Sequence, residues 1–174
     1  MLTIVQICLL GCICIFPILC VFISGKVFPT DHTSYTRPSF QPPGWVFSVV
    51  WSYITASLGI VTALAVYGAF QRKSVFFATL LSITCMLIVS MWCAWSAAFS
   101  NTDATSKIWS LCFLIASGIF FTIHMLIVAY QDSWTRHAVW ALIPAVCWLL
   151  LASALNGTIV QEFTYHENIK KNMY

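Results

Sequence analysis

The sequence predicts an all-α integral membrane protein, a five-transmembrane-helix bundle, on three observations. The first is composition: 60% of residues are hydrophobic, 7% are charged and the mean hydropathy is +0.89, whereas an ordinary soluble domain carries about 25% charged residues. The second is that the apolar residues gather into five runs, each meeting the roughly 20 residues that a helix needs to cross about 30 Å of hydrocarbon. The third is that no Asp, Glu, Lys or Arg stands near the centre of any run. A chain of 174 residues has room for one such domain, spanning residues 1–174, and for no second domain of any size.

The first span covers residues 2–28. It differs from a secretory signal in lacking a basic leading region and in exceeding the usual apolar stretch of about 7–15 residues. Residues 29–43 form a loop, and the stretch over residues 37–51, RPSFQPPGWVFSVVW, organises the rest of the chain. Pro38, Pro42 and Pro43 each fix φ, remove a backbone donor and push the preceding residue toward extended backbone, so no helix runs through them. Helix begins at about Gly44, whose lack of a Cβ eases the turn, and residues 44–70 are the second span. Phe47 and Trp51 are four apart and share one helix face. The stiff loop above them reads as a lid, and an interfacial aromatic belt is the competing reading of the same rings.

Residues 71–74 make a tight polar turn before the third span at 75–99. Residues 101–107, NTDATSK, are a short loop with helix-capping residue types, and the fourth span runs over 108–130. Residues 131–136 turn the chain again, residues 137–163 are the fifth span, and residues 164–174 form a polar tail.

Five crossings put the termini on opposite sides of the membrane. Lys26, Arg37, Lys107, Lys170 and Lys171 lie on the side of the proline loop, against Arg72, Lys73 and Arg136 on the other. This excess places the proline loop and the C-terminus in the cytoplasm by the positive-inside rule. The net charge of +3 is scattered and gives no nucleic-acid surface. Cys8, Cys12, Cys14, Cys20, Cys85, Cys93, Cys112 and Cys147 lie mostly inside apolar runs and include no C-x-x-C pair. They read as small packing residues, so no metal site is expected.

The uncharged span centres exclude a charged proton relay, a voltage sensor and a charged ion path. His124, the one imidazole well inside a span, reads as hydrogen-bonded to a neighbouring helix. Asn156 fits the glycosylation pattern with Thr158, but inside the fifth run it reads instead as an interhelical hydrogen-bonding group beside a small residue, Gly157. The remaining signal is tryptophan: Trp45, Trp51, Trp92, Trp95, Trp109, Trp134, Trp140 and Trp148 recur on spans two to five and their turns. Indoles are flat and polarizable and carry one N–H donor, which suits a pocket for a flat or rigid apolar ligand. Interfacial anchoring and core packing is the plainer reading, favoured by position for Trp109, Trp134 and Trp140.

PSFQPPGWVFSVVW resembles the motif P-S-aromatic-x-P-P-x-W-V-F-x-x-V-W of the tryptophan-rich sensory protein and translocator protein family, also called the peripheral-type benzodiazepine receptor family. The likeness extends through Gly59, through Trp95, Ser96 and Phe99, to Trp109, and to Pro144, Trp148, Ala152, Leu155 and Asn156 of the fifth span. It covers about residues 35–160. Five positions depart from it. Val49 stands for a Pro, Thr55 for a Tyr, Trp92 for an Asn, Phe113 for an acidic residue and Val160 for a Trp, changes that together remove polar groups from the region of the family's ligand cavity.

The resemblance implies a cavity that binds porphyrins or sterols. Carried over by position, it is lined by Trp45, Phe47, Val50, Trp51, Trp95, Trp109, Ala116, Trp148, Ala152 and Leu155, with Pro38, Pro42, Pro43, Gly44, Pro144 and Asn156 as lid or structural residues. The partners it implies are a porphyrin or sterol ligand and the lipid bilayer, with a homodimer left open and no cofactor. It places the chain in a mitochondrial outer membrane or endomembrane in a eukaryote, and in the cell envelope in a bacterium. A loose sterol-recognition pattern also occurs as Val160, Tyr165 and Lys170. Two alternatives to a carrier stay open: a light- and oxygen-dependent porphyrin-degrading enzyme using Trp51 and Trp148, although no acid–base pair accompanies them, and a membrane scaffold with no small-molecule site.

Overall fold

A computed structural model describes residues 2–27, 38–71, 76–99, 104–131 and 139–172. Five α-helices run in succession: α1 (Ile4–Val27), α2 (Gly44–Gln71), α3 (Phe76–Phe99), α4 (Ala104–Gln131) and α5 (Ile143–Asn172). A 3-10 turn over Val139–Leu142 leads into α5. Each helix contains a segment long and apolar enough to cross a membrane. The described residues contain no strand, and helices pair most of their backbone groups internally, as a lipid environment requires; Pro17, inside α1, supplies no N–H to that ladder.

α3 packs most extensively on α4, α1 on α2 and α3, and α5 on α4 with a lighter contact to α2. The core is formed by Ile54, Leu58, Met86, Val89, Phe121, Val128, Leu142 and Leu149, all nearly inaccessible. Large apolar side chains are more common outside than in this core, among them Ile15, Leu19, Phe22 and Ile23 of α1. In water such a surface would drive association; in a bilayer it faces hydrocarbon.

Without a hydrophobic force between helices, small and polar side chains hold them together. The Ser24 hydroxyl donates to the Ala94 carbonyl at 3.2 Å, joining α1 to α3. Ser96 and Ser110 each donate to the other's carbonyl, at 3.0 and 2.8 Å, closing α3 on α4. The Tyr53 hydroxyl donates to the Ala141 carbonyl at 2.7 Å and fixes α2 against the 3-10 turn.

His124 joins three helices. Its Nε2 lies 3.2 Å from Thr62 Oγ1 on α2 and its Nδ1 3.0 Å from Ser82 Oγ on α3. Thr62 gives its one hydroxyl hydrogen to the Leu58 carbonyl at 2.8 Å, so toward the ring its oxygen accepts from Nε2–H. Nδ1 then accepts the Ser82 hydrogen, an assignment that rests on the pattern of bonds. The interhelical role expected for this imidazole is the one it has.

Several expected boundaries and roles change. α4 starts at Ala104, inside the stretch expected as loop, because nothing in Ala-Thr-Ser-Lys breaks a helix and capping residue types precede it in sequence. The polar tail is helical as far as Asn172, since TYHENIKKN holds neither Pro nor Gly. The fifth helix is 3-10 until Leu142, and Pro144 then occupies the first turn of α5, where its missing N–H costs nothing. α2 begins at Gly44 as expected, with the Val46 N–H donating to the Pro43 carbonyl at 2.9 Å. Gly44 does not have a positive φ, however, and a Cβ there would meet nothing within 4 Å, so the turn makes no use of its missing side chain. Gly157 likewise faces open space rather than a neighbouring helix, and Asn156, partly exposed, makes no side-chain hydrogen bond among the described residues. Most of the expected lid, residues 29–37, lies outside the described residues, as does Trp134.

Candidate functional site

The short end of the proline loop is built by local bonds. The Gln41 N–H donates to the Pro38 carbonyl at 2.9 Å, closing a turn, and Pro42 and Pro43 then deliver the chain into α2. Helical spacing puts Phe47 and Trp51 on one side of α2 and Trp148, Ala152 and Leu155 on one side of α5. The Phe47 ring meets the Trp148 indole edge to face, with centroids 5.1 Å apart and planes at 75°. Phe47, Val50 and Trp51 are partly buried against the core cluster that includes Trp148 and Ala152, and Leu155 is buried as well.

Trp148 is 8% exposed, and its Nε1 is buried with no hydrogen-bond partner. A buried indole usually finds a partner for this N–H, and leaving a donor unmet costs about 1–3 kcal/mol. Gln41 in the turn holds a buried acceptor without a partner, Oε1. Thr55, which stands in the place of a Tyr, is satisfied within α2 by the Trp51 carbonyl at 2.9 Å.

The ten expected lining positions fall into separate groups. Trp95 and Trp109 belong to an aromatic cluster of α3 and α4 centred on Phe113, at centroid distances of 5.4 and 6.3 Å. They are 45% and 56% exposed. Trp92 and Phe99 join the same hub at 6.2 and 5.7 Å, and no ring contact among the described residues links this hub to Trp51 or Trp148. Trp45, 69% exposed in the first turn of α2, faces outward, and Ala116 is partly buried on α4. The hub role of Phe113 is not among the expectations from sequence. Its spacing of four from Trp109 is the available signal, since it places both rings on one helix face.

The sequence profile of the TspO/MBR family matches residues 8–161, a range that includes all five spans in whole or large part. The chain belongs to the TspO/MBR family. It is similar to the tryptophan-rich protein TspO of Chlorobaculum tepidum, with 30% identity over 155 residues that cover 86% of this chain and 92% of that protein. As a TspO/MBR member with five apolar spans, the chain is a multi-pass integral membrane protein. Trp92 and Phe113 lie against one another, with ring centroids 6.2 Å apart. Phe120 also meets Trp92, edge to face, with centroids 5.1 Å apart.

Proposed function

We propose that this TspO/MBR protein is a carrier or receptor for a flat apolar ligand, a porphyrin or a sterol, held between α2 and α5 beneath the proline loop. The observation that carries this reading is the buried, unpartnered Nε1 of Trp148 beside Phe47. Such a donor gains when a ligand brings an acceptor to it, and both ligand classes have one: porphyrin carboxylates or a sterol hydroxyl oxygen. Phe47, Trp51 and Trp148 supply aromatic faces and edges for the ligand body, while Val50, Ala152 and Leu155 supply an apolar wall. A flat ring system suits these contacts.

Titration with protoporphyrin in detergent, first in darkness and then under light, tests the reading. Trp51→Ala and Trp148→Ala should each weaken binding by about 1–3 kcal/mol while the protein stays folded. Trp148→Phe keeps a ring and removes the N–H, so it should lose part of that energy. Equal affinity in the wild type and the Trp51→Ala/Trp148→Ala double variant would reject the site and leave a scaffold. Light-dependent bleaching that stops in those variants while binding persists would favour porphyrin degradation.

A further inference from the structure

Near the C-terminal end of α5 a groove of about 300 Å³ is lined by Thr158, Gln161, Glu162 and Tyr165. These positions are spaced by three and four and form one helix face. The groove lies where the apolar run ends: beyond Phe163 the helix continues through Thr-Tyr-His-Glu-Asn-Ile-Lys-Lys-Asn. The last turns of such a span approach the level of the lipid headgroups.

The groove's chemistry favours a cation. The Thr158 hydroxyl donates to the Leu155 carbonyl at 2.8 Å, so its oxygen is left to accept. The Glu162 side chain, partly buried, brings carboxylate oxygens that accept hydrogen bonds. Tyr165 is 64% exposed and brings an aromatic ring whose face attracts ammonium groups. The neighbouring cation of α4, Lys107, is turned onto the Phe163 ring, 4.8 Å from its centroid, and does not line the groove.

We propose that this groove binds the ammonium headgroup, choline or ethanolamine, of a zwitterionic membrane lipid. The volume is at the small end for a ligand site and suits a headgroup rather than a porphyrin. A sterol presents a neutral hydroxyl and leaves Glu162 and the Tyr165 ring without a cation. The lipid's chains would run along the exposed apolar side of the bundle, which gives the headgroup an anchor that a soluble amine lacks.

The test uses the full chain, purified in detergent and offered equal amounts of phosphatidylcholine, phosphatidylethanolamine and phosphatidylglycerol, with bound lipid counted by native mass spectrometry. The wild type should retain the two ammonium lipids about two- to fivefold over phosphatidylglycerol, the scale of one exposed cation–aromatic contact. Glu162→Gln and Tyr165→Ala should each bring that ratio close to one, with the unfolding midpoint and porphyrin affinity unchanged. Tyr165→Phe keeps the ring and should keep the preference. A ratio near one in the wild type, or a preference that survives in both Glu162→Gln and Tyr165→Ala, would overturn the proposal. Free choline that displaces the lipid at equal concentration would overturn its assignment to a membrane lipid.

Discussion

Gly59 of α2 lies directly on the main chain of Cys14 in α1. A Cβ added at Gly59 would overlap the Cys14 carbonyl oxygen and come to 3.0 Å from its carbonyl carbon and Cα. Small residues let membrane helices approach this closely, and a backbone obstacle cannot swing aside as a side chain can. Gly59→Ala gains about 1 kcal/mol of helix propensity, but parting two packed helices costs about 1–3 kcal/mol, so the net effect should be destabilising. Gly59→Leu should cost more. The denaturation midpoint in detergent measures both, with Gly11→Ala as the control because its Cβ would meet nothing within 4 Å. An unchanged midpoint in Gly59→Leu would mean that α1 is free to shift on α2.

The His124 junction predicts a non-additive series. His124→Leu removes two bonds at once and leaves the buried Ser82 hydroxyl without its ring partner, which should cost about 1–3 kcal/mol. Thr62 still has the Leu58 carbonyl, so most of the loss belongs to the Ser82 side. Removing that orphan as well, in His124→Leu/Ser82→Ala, should recover part of the stability. A double variant no more stable than His124→Leu would place the cost in packing around the imidazole instead.

How much of the fold is legible in the sequence depends on how local each signal is. The start of α2 is readable because Pro42 and Pro43 exclude helix by their own geometry. The five spans are readable because a bilayer demands apolar length. The ends at Ala104 and Asn172 are not, because hydropathy marks where a segment leaves lipid and helix continues through polar sequence that lacks a breaker. The facing of Trp95 and Trp109 is hidden for a different reason. These helices are apolar all round, so the pattern does not say which side meets the core and which the bilayer. Only the packing of α3 on α4 reveals that both indoles gather on Phe113 and point outward.

Five spans put the two ends of the chain on opposite faces, and the basic residues choose which. With Lys26, Arg37, Lys107, Lys170 and Lys171 on the proline-loop side, the C-terminal end of α5 should be cytoplasmic and the start of α1 should face the other way. Labelling of single cysteines placed in residues 164–174 and before Ile4, with an impermeant reagent on intact and opened vesicles, reads this directly. Both sites labelled from the same face would contradict five crossings, and the reverse labelling would overturn the orientation.

The prolines should govern how fast a ligand comes and goes more than how tightly it binds. Pro42 and Pro43 leave the end of the loop few backbone conformations, and the Pro38–Gln41 turn holds it from the other side. A loop already restricted in the free protein loses little entropy when it closes over a ligand. Replacing Pro42 and Pro43 together with Ala restores two backbone donors and allows α2 to extend backward by about a turn, which would unmake the Gln41 turn. Association and dissociation of porphyrin should then both accelerate, with the equilibrium constant moving less than either rate. Stopped-flow quenching of tryptophan fluorescence measures the two rates, and Trp148→Phe in the same background shows whether the signal comes from the α2–α5 contact. Rates unchanged by the double replacement would mean that ligand arrives sideways between helices from the bilayer, with the proline segment serving only as a connector.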